Sequence, residues 1–151
     1  MNWEAAGAIA EIVGSAAVVI TIAYLAVQIR QSTKSARSDS ANQSRAAVND
    51  VLSNISNDTE SVKTYTKGLI EPDALEFHER IRFDLMIFQT LRVTETIFIE
   101  HQNGFVETEM WEAQWRAATK ILGTKGGRQS WNRQKELVSA TFMEWVDANL
   151  E

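Results

Sequence analysis

Gly7, Glu11, Gly14, Val18, Thr21, Leu25 and Gln28 follow one another at alternating spacings of four and three residues. On a helix they share one seam with a period of about 3.5 residues. The seam places two glycines, a carboxylate, a hydroxyl and an amide in a stretch that is otherwise apolar. Residue types of this kind support two kinds of chemistry. Lipid tails give helices no hydrophobic drive to associate, so close approach at small residues and hydrogen bonds between polar ones must supply it. An ionisable group in such a stretch is also a functional candidate. Repeated around an oligomer, Glu11 would form a carboxylate ring at the mouth of a pore lined by Gly7, Gly14, Thr21 and Gln28. The competing reading sets Glu11 at an interface. Ile12 to Ile29 is uncharged over eighteen residues, about 27 Å of helix, almost enough to cross a bilayer without it, and a carboxylate there would favour the positive N-terminal end of the helix.

The other groups with chemical potential are few. There is no cysteine and there are two histidines, His78 and His101. Neither histidine stands in Glu-x-x-His or His-Glu-x-x-His, so the ligands of a di-iron bundle or a zinc-protease helix are missing and no metal site is expected. Gly126-Gly127 between Lys125 and Arg128 offers backbone N–H groups to a phosphate. With no Gly-x-x-x-x-Gly-Lys-Ser/Thr run and no preceding strand, a plain interhelical turn is the expectation. No serine occupies a Gly-x-Ser-x-Gly elbow. Trp111, Trp115, Trp131 and Trp145 would suit a ligand cage, but at helical spacing they read as core and interface packing. No catalytic residue and no cofactor emerges, and the chain does not read as an enzyme.

The element that must carry the seam is Ala5 to Ile29, with one charge in twenty-five positions and a helical rise of roughly 37 Å. That length spans a bilayer. A cleaved signal peptide has a basic start and a shorter apolar run, whereas this chain begins Met-Asn-Trp-Glu. Residues 1–29 are therefore expected to be a retained transmembrane helix. Residues 30–67 are small and polar, with no Pro or Gly from Ser15 to Thr66. They read as a helix leaving the bilayer, with a Ser/Asn-rich linker as the alternative. Val48, Val51, Leu52 and Ile55 at helical spacing would dock on the later domain.

Gly68, Pro72 and Asp73 mark the next boundary, and residues 68–151 are expected to form a helical bundle. Asp73 and Glu76 have the spacing of a capping box, starting a central helix that runs to about Asn103 and stops at Gly104. Along it Phe77, Ile81, Leu85, Phe88 and Leu91 make one apolar line, and Phe83, Ile87 and Ile97 a second, which predicts burial of most of its circumference. Thr108 is positioned to cap a helix from Glu109 to about Leu122. Gly123 to Ser130 reads as a loop, and Trp131 to about Asn149 as a final helix presenting Leu137, Val138, Phe142, Trp145 and Val146. Phe88 and Trp145 are expected in the core. No alternating strand pattern or internal repeat occurs, so the class is all-α: a single transmembrane helix continuing into a bundle of three to four helices.

Formal net charge is −5, distributed unevenly. Arg30, Lys34, Arg37 and Arg45 face one acid, Asp39, just after the apolar run, nothing basic precedes it, and the remainder is acidic. A basic collar against lipid headgroups followed by an acidic body suits a membrane surface and not nucleic acid. The bias places the N-terminus outside and the C-terminal domain in the cytoplasm. The glycan acceptor patterns starting at Asn42, Asn54 and Asn57 then read as chance.

The opening WEAAGAIAEIVGSAAVVITIAYLAVQIRQST, the central FHERIRFDLMIFQTLRVTETIF and the closing GTKGGRQSWNRQKELVSATFMEWV together resemble a group of small, membrane-anchored hypothetical proteins of bacteria, mainly proteobacteria. The resemblance covers nearly the whole chain and implies a bacterial inner-membrane setting, with no activity attached. The expected function is accordingly structural: a membrane-anchored interaction protein that associates with itself or serves as an accessory subunit of a larger membrane complex. A small ion channel lined by the Glu11 face is the alternative.

Overall fold

The apolar run and the polar stretch after it form a single helix. In the computed structural model, which describes the backbone of residues 3–150 and the side chains of all of these but 4–6 and 8–10, α1 runs unbroken over Trp3–Ser56, 54 residues or about 80 Å at 1.5 Å per residue. The absence of Pro and Gly beyond Gly14 leaves nothing to interrupt it. The chain divides into two compact units, Met1–Ser38 and Asp39–Glu151, so the end of α1 belongs with the helices that follow rather than with a separate linker.

Among the described residues the second unit is all helical: the last part of α1, then α2 (Thr59–Ile70), α3 (Phe77–Gln102), α4 (Thr108–Leu122), α5 (Lys125–Gln134) and α6 (Ala140–Asn149). Asp58 separates α1 from α2. Its carboxylate accepts the backbone N–H groups of Glu60 and Ser61 at 3.3 and 2.9 Å, an N-cap that satisfies two otherwise orphaned donors. Pro72 ends the run after α2, because it has no N–H and restricts the residue before it.

The capping box of α3 lies three residues beyond the expected one. Glu76 is the N-cap and Glu79 returns its carboxylate to the Glu76 N–H at 2.8 Å. Asp73 sits in a 3-10 turn, Pro72–Ala74, and binds Lys125 Nζ at 2.6 Å and Gln129 Nε2 at 3.3 Å. Gly104 terminates α3 as expected, with φ +73°, a value glycine adopts without the Cβ penalty. Thr108 is the first residue of α4 and Glu107 its N-cap.

The end of the chain departs further from expectation. Residues 125–134, expected to be mostly loop, form α5, started by the Thr124 hydroxyl, which accepts the Gly127 N–H at 3.0 Å. The helix expected over Trp131 to Asn149 is broken by a 3-10 turn, Lys135–Leu137, and α6 begins only at Ala140. Its first turn is held from outside, since the Ser139 N–H donates to Glu95 Oε1 at 2.6 Å.

Phe83, Ile87, Leu91, Ile97 and Phe98 of α3 are buried and pack with Trp111, Leu122, Trp131, Phe142 and Val146. The second predicted line of α3 is therefore core, and of the first only Leu91 joins it. Phe77 is 79% exposed, Ile81 and Leu85 are exposed as well, and Phe88 is half-buried outside the core cluster. Trp145 is half-buried against the cluster.

Gly68 lies inside α2 and is buried, not at a boundary. A Cβ on it would come within 2.3 Å of the Phe83 ring, and a Cβ on Gly126 would stand 1.8 Å from the Gly68 carbonyl oxygen. The two glycines let α5 cross α2 backbone to backbone.

Candidate functional site

All seven seam residues lie on α1 and are exposed: Gly7, Glu11, Gly14, Val18, Thr21, Leu25 and Gln28. A Cβ built on Gly7 or Gly14 meets nothing within 4 Å. The hydroxyls near the seam are satisfied by their own helix: Thr21 Oγ1 donates to the Ala17 carbonyl at 2.8 Å and Ser15 Oγ to that of Glu11 at 2.9 Å, the usual back-bond of a helical hydroxyl. Gln28 Nε2 reaches Tyr24 Oη at 3.2 Å. The Glu11 carboxylate has no hydrogen-bond or ion-pair partner among the described residues. Around this seam the helix is apolar and exposed on every side, Ile12, Val13, Val19, Ile20 and Ile22 included, and it is long and apolar enough to cross a membrane.

The collar bases Arg30, Lys34, Arg37 and Arg45 are also exposed on α1. Arg30, Lys34 and Arg37 fall within about 12 Å of helix beyond Ile29, and Arg45 about 24 Å beyond it. None of the four forms an ion pair with an acid among the described residues, in contrast to Arg82 with Asp58 and Arg133 with Asp84.

The remaining sequence candidates resolve into packing. His78 is exposed beside Glu76, whereas His101 places Nδ1 3.1 Å from the Val106 carbonyl oxygen and stacks on Trp111. No group of three or more His, Asp and Glu side chains converges on a metal-sized site among the described residues. Gly126 and Gly127 are buried in the first turn of α5, and a Cβ on Gly127 would stand 2.0 Å from the Ile121 carbonyl oxygen. Both are thus spacers between backbones. Lys125 beside them is engaged by Asp73.

Trp111, Trp115 and Trp145 fill one another's space, with ring centroids 5.0 Å apart for Trp111–Trp145 and 4.5 Å for Trp115–Trp145, and Phe98 packs against the same group. Trp131 stands apart and donates its indole N–H to Asp147 at 2.7 Å. With Lys135, this bond holds the Asp147 carboxyl below the usual carboxylate range.

One feature went unread in the sequence: an apolar cleft of about 150 Å³ within the second unit. Val51, Leu52 and Ile55 of α1 form one wall, and Tyr65 of α2 and Val93 of α3 form its floor. Ala117 and Ala118 of α4, too small to fill the gap, form the opposite wall. At Val48 and Gln114 the cleft adjoins a more open groove of about 370 Å³ bordered by Arg45, Asn49 and Met110. Two of the polar donors along the walls are already used. Thr90 Oγ1 donates to the Met86 carbonyl at 3.1 Å, and Gln114 Nε2 to Thr94 Oγ1 at 2.9 Å. Burial pushes the Tyr65 phenol above its ordinary value. The helical spacing of Val48, Val51, Leu52 and Ile55 signalled that this face meets the bundle. The alanines opposite, which leave it short of close contact, carried no local signal.

No protein-family model matches the chain, and neither a characterised protein nor a solved structure shows significant similarity to it.

Proposed function

We propose that this chain is a membrane-anchored interaction protein whose α1 crosses a bilayer and associates with copies of itself along the Gly7–Gln28 seam. The orientation argued from the basic residues places the N-terminus outside and the helical unit in the cytoplasm. The resemblance of the sequence adds a bacterial inner membrane as the setting. The observation that carries the reading is that, among the described residues, Gly7 and Gly14 have nothing within 4 Å of an added Cβ while the Glu11 carboxylate on the same seam has no partner. Glycine within a helix costs about 0.5–1 kcal/mol relative to alanine. Ionised carboxylates facing lipid are worse, by about 2.5–3.5 kcal/mol near mid-bilayer and less near the interface. A second helix on the seam relieves the second cost and makes use of the first, since close backbone approach and interhelical hydrogen bonds contribute on the order of 1 kcal/mol each.

Native mass measurement on the full chain in lipid nanodiscs tests this. Wild type is expected as an oligomer. Gly14→Ile, which meets no obstacle inside the chain, is expected to release monomers, while Val19→Ile, off the seam and exposed, leaves the oligomer intact. A monomeric wild type, or an oligomer indifferent to Gly14→Ile, overturns the seam. Ion flux from liposomes, compared between wild type and Glu11→Gln, then separates a scaffold from a pore.

A further inference from the structure

The cleft beside the end of α1 has the chemistry of a ligand site, whether or not α1 self-associates. A cleft with mostly apolar walls favours an apolar guest, whose burial removes that surface from water. Here the lining is mostly aliphatic beside the Tyr65 ring, and its Thr90 hydroxyl and Gln114 Nε2 donate elsewhere. It therefore suits an alkyl chain better than a heteroatom-bearing ring. The adjoining groove gives that chain a way out, and at its edge stands Arg45.

Arg45 is exposed and, among the described residues, is matched to no acid. Glu100, which reaches the same stretch of α1, accepts the Ser44 hydroxyl instead, at 2.6 Å. Arg45, Asn49, Leu52 and Ile55 lie along one face of α1, so a molecule following that face passes from a guanidinium and an amide to purely apolar side chains. A guanidinium presents a planar fork that matches a carboxylate. The cleft itself, about 150 Å³, is smaller than the usual ligand pocket of about 300–1,000 Å³, which suits one alkyl chain and not the two of a bilayer phospholipid. We infer that the cleft binds a single-chain carboxylate amphiphile, a free fatty-acid anion, with its tail between Leu52, Ile55, Val93 and Ala118 and its carboxylate on Arg45. Bound there, the tail fills the space that the two alanines leave open and joins residues 48–55 of α1 to the helices behind them.

The test uses the full chain in phosphatidylcholine nanodiscs and dodecanoic acid carrying a diazirine near the end of its tail. After irradiation, labelled peptides are mapped by mass spectrometry. Label is expected within residues 48–55 and 114–121 and should be competed by unlabelled dodecanoate, with dodecanol about tenfold less effective because it lacks the charge-assisted contact. Arg45→Glu should reduce this labelling about tenfold or more, and Arg37→Glu, the same charge change on the same helix, should not. Ala117→Phe, which fills the cleft from α4, should also reduce it. Replacing Arg45 breaks no side-chain hydrogen bond or ion pair among the described residues, and circular dichroism of each variant verifies that the helices are retained. Label confined to residues 3–29, dodecanol competing as well as dodecanoate, or Arg45→Glu labelled like wild type would each overturn the assignment.

Discussion

Gly126→Ala probes the place where α5 crosses α2 backbone to backbone. The new methyl carbon would lie 1.8 Å from the Gly68 carbonyl oxygen and 2.8 Å from its carbon, whereas a carbon normally stays about 3.3 Å or more from a carbonyl oxygen. α5 must therefore retreat from α2 by about 1.5 Å. The retreat carries Lys125 and Gln129 away from Asp73 and disturbs Ser130 and Arg133, which bind Asp84 of α3 at 2.7 Å each. Overpacking of this kind costs about 1–3 kcal/mol and sometimes more. Opposing it is the better helix propensity of alanine, at most about 1 kcal/mol. The clash wins, and a net loss of about 2 kcal/mol is expected. Urea unfolding of the full chain in mild detergent, followed by tryptophan fluorescence, reads it directly, because four of the five tryptophans lie in the second unit. Gly14→Ala is the control, with no atom near the added methyl. If Gly126→Ala unfolds at the wild-type urea concentration or above, α2 and α5 do not cross at these glycines.

Phe83→Ala removes a ring that is fully buried and is expected to cost about 3–5 kcal/mol, while Phe77→Ala should fall within about 0.5 kcal/mol of wild type; equal effects in the same unfolding assay would contradict the orientation of α3. Stability should also fall on acidification. The Ser61 hydroxyl and amide hold the Asp58 carboxyl below its ordinary value, and Lys67 does the same for Glu79. A depressed carboxylate adds stability that is present above its unfolded pKa of about 4 and is lost as pH falls through the lower folded value. The urea midpoint should therefore drop below about pH 4, less steeply in Asp58→Asn; a midpoint flat down to about pH 2.5 would show that these carboxylates are not bonded in the fold.

Much of the helical order is legible in the sequence, and the failures have identifiable causes. The continuity of α1 follows from the lack of breakers, and the end of α3 from Gly104. The start of α3 was ambiguous because the spacing of an acid and a glutamate three residues on occurs twice, at Asp73–Glu76 and Glu76–Glu79. Burial of Pro72 and Leu75 goes with the 3-10 turn Pro72–Ala74, in which Asp73 meets Lys125, 52 residues away. Two apolar lines on α3 gave no means of choosing which one turns inward; the choice is made by partners such as Trp131 and Phe142, which are distant in sequence. The break before α6 depends on Glu95, and α5 on a helix crossing, so neither has a local signature.

The seven glycines show most clearly where sequence stops and structure begins. In sequence, Gly126-Gly127 resembles a flexible turn and Gly7 with Gly14 resembles the ordinary glycine content of an apolar helix. In the fold, Gly68, Gly126 and Gly127 each stand where a methyl group would collide with a ring or a carbonyl, so their cost in helix propensity is offset inside the chain by close packing. Gly7 and Gly14 incur the same cost in open space, and no positive φ requires either of them. Among the described residues nothing packs against either one, and the proposed self-association is what would offset their cost. Seven residues apart on one seam, with an unpartnered carboxylate between them, they offer a partner surface two close approaches and one hydrogen-bonding group in register, which is the pattern a second helix can use and a lipid tail cannot.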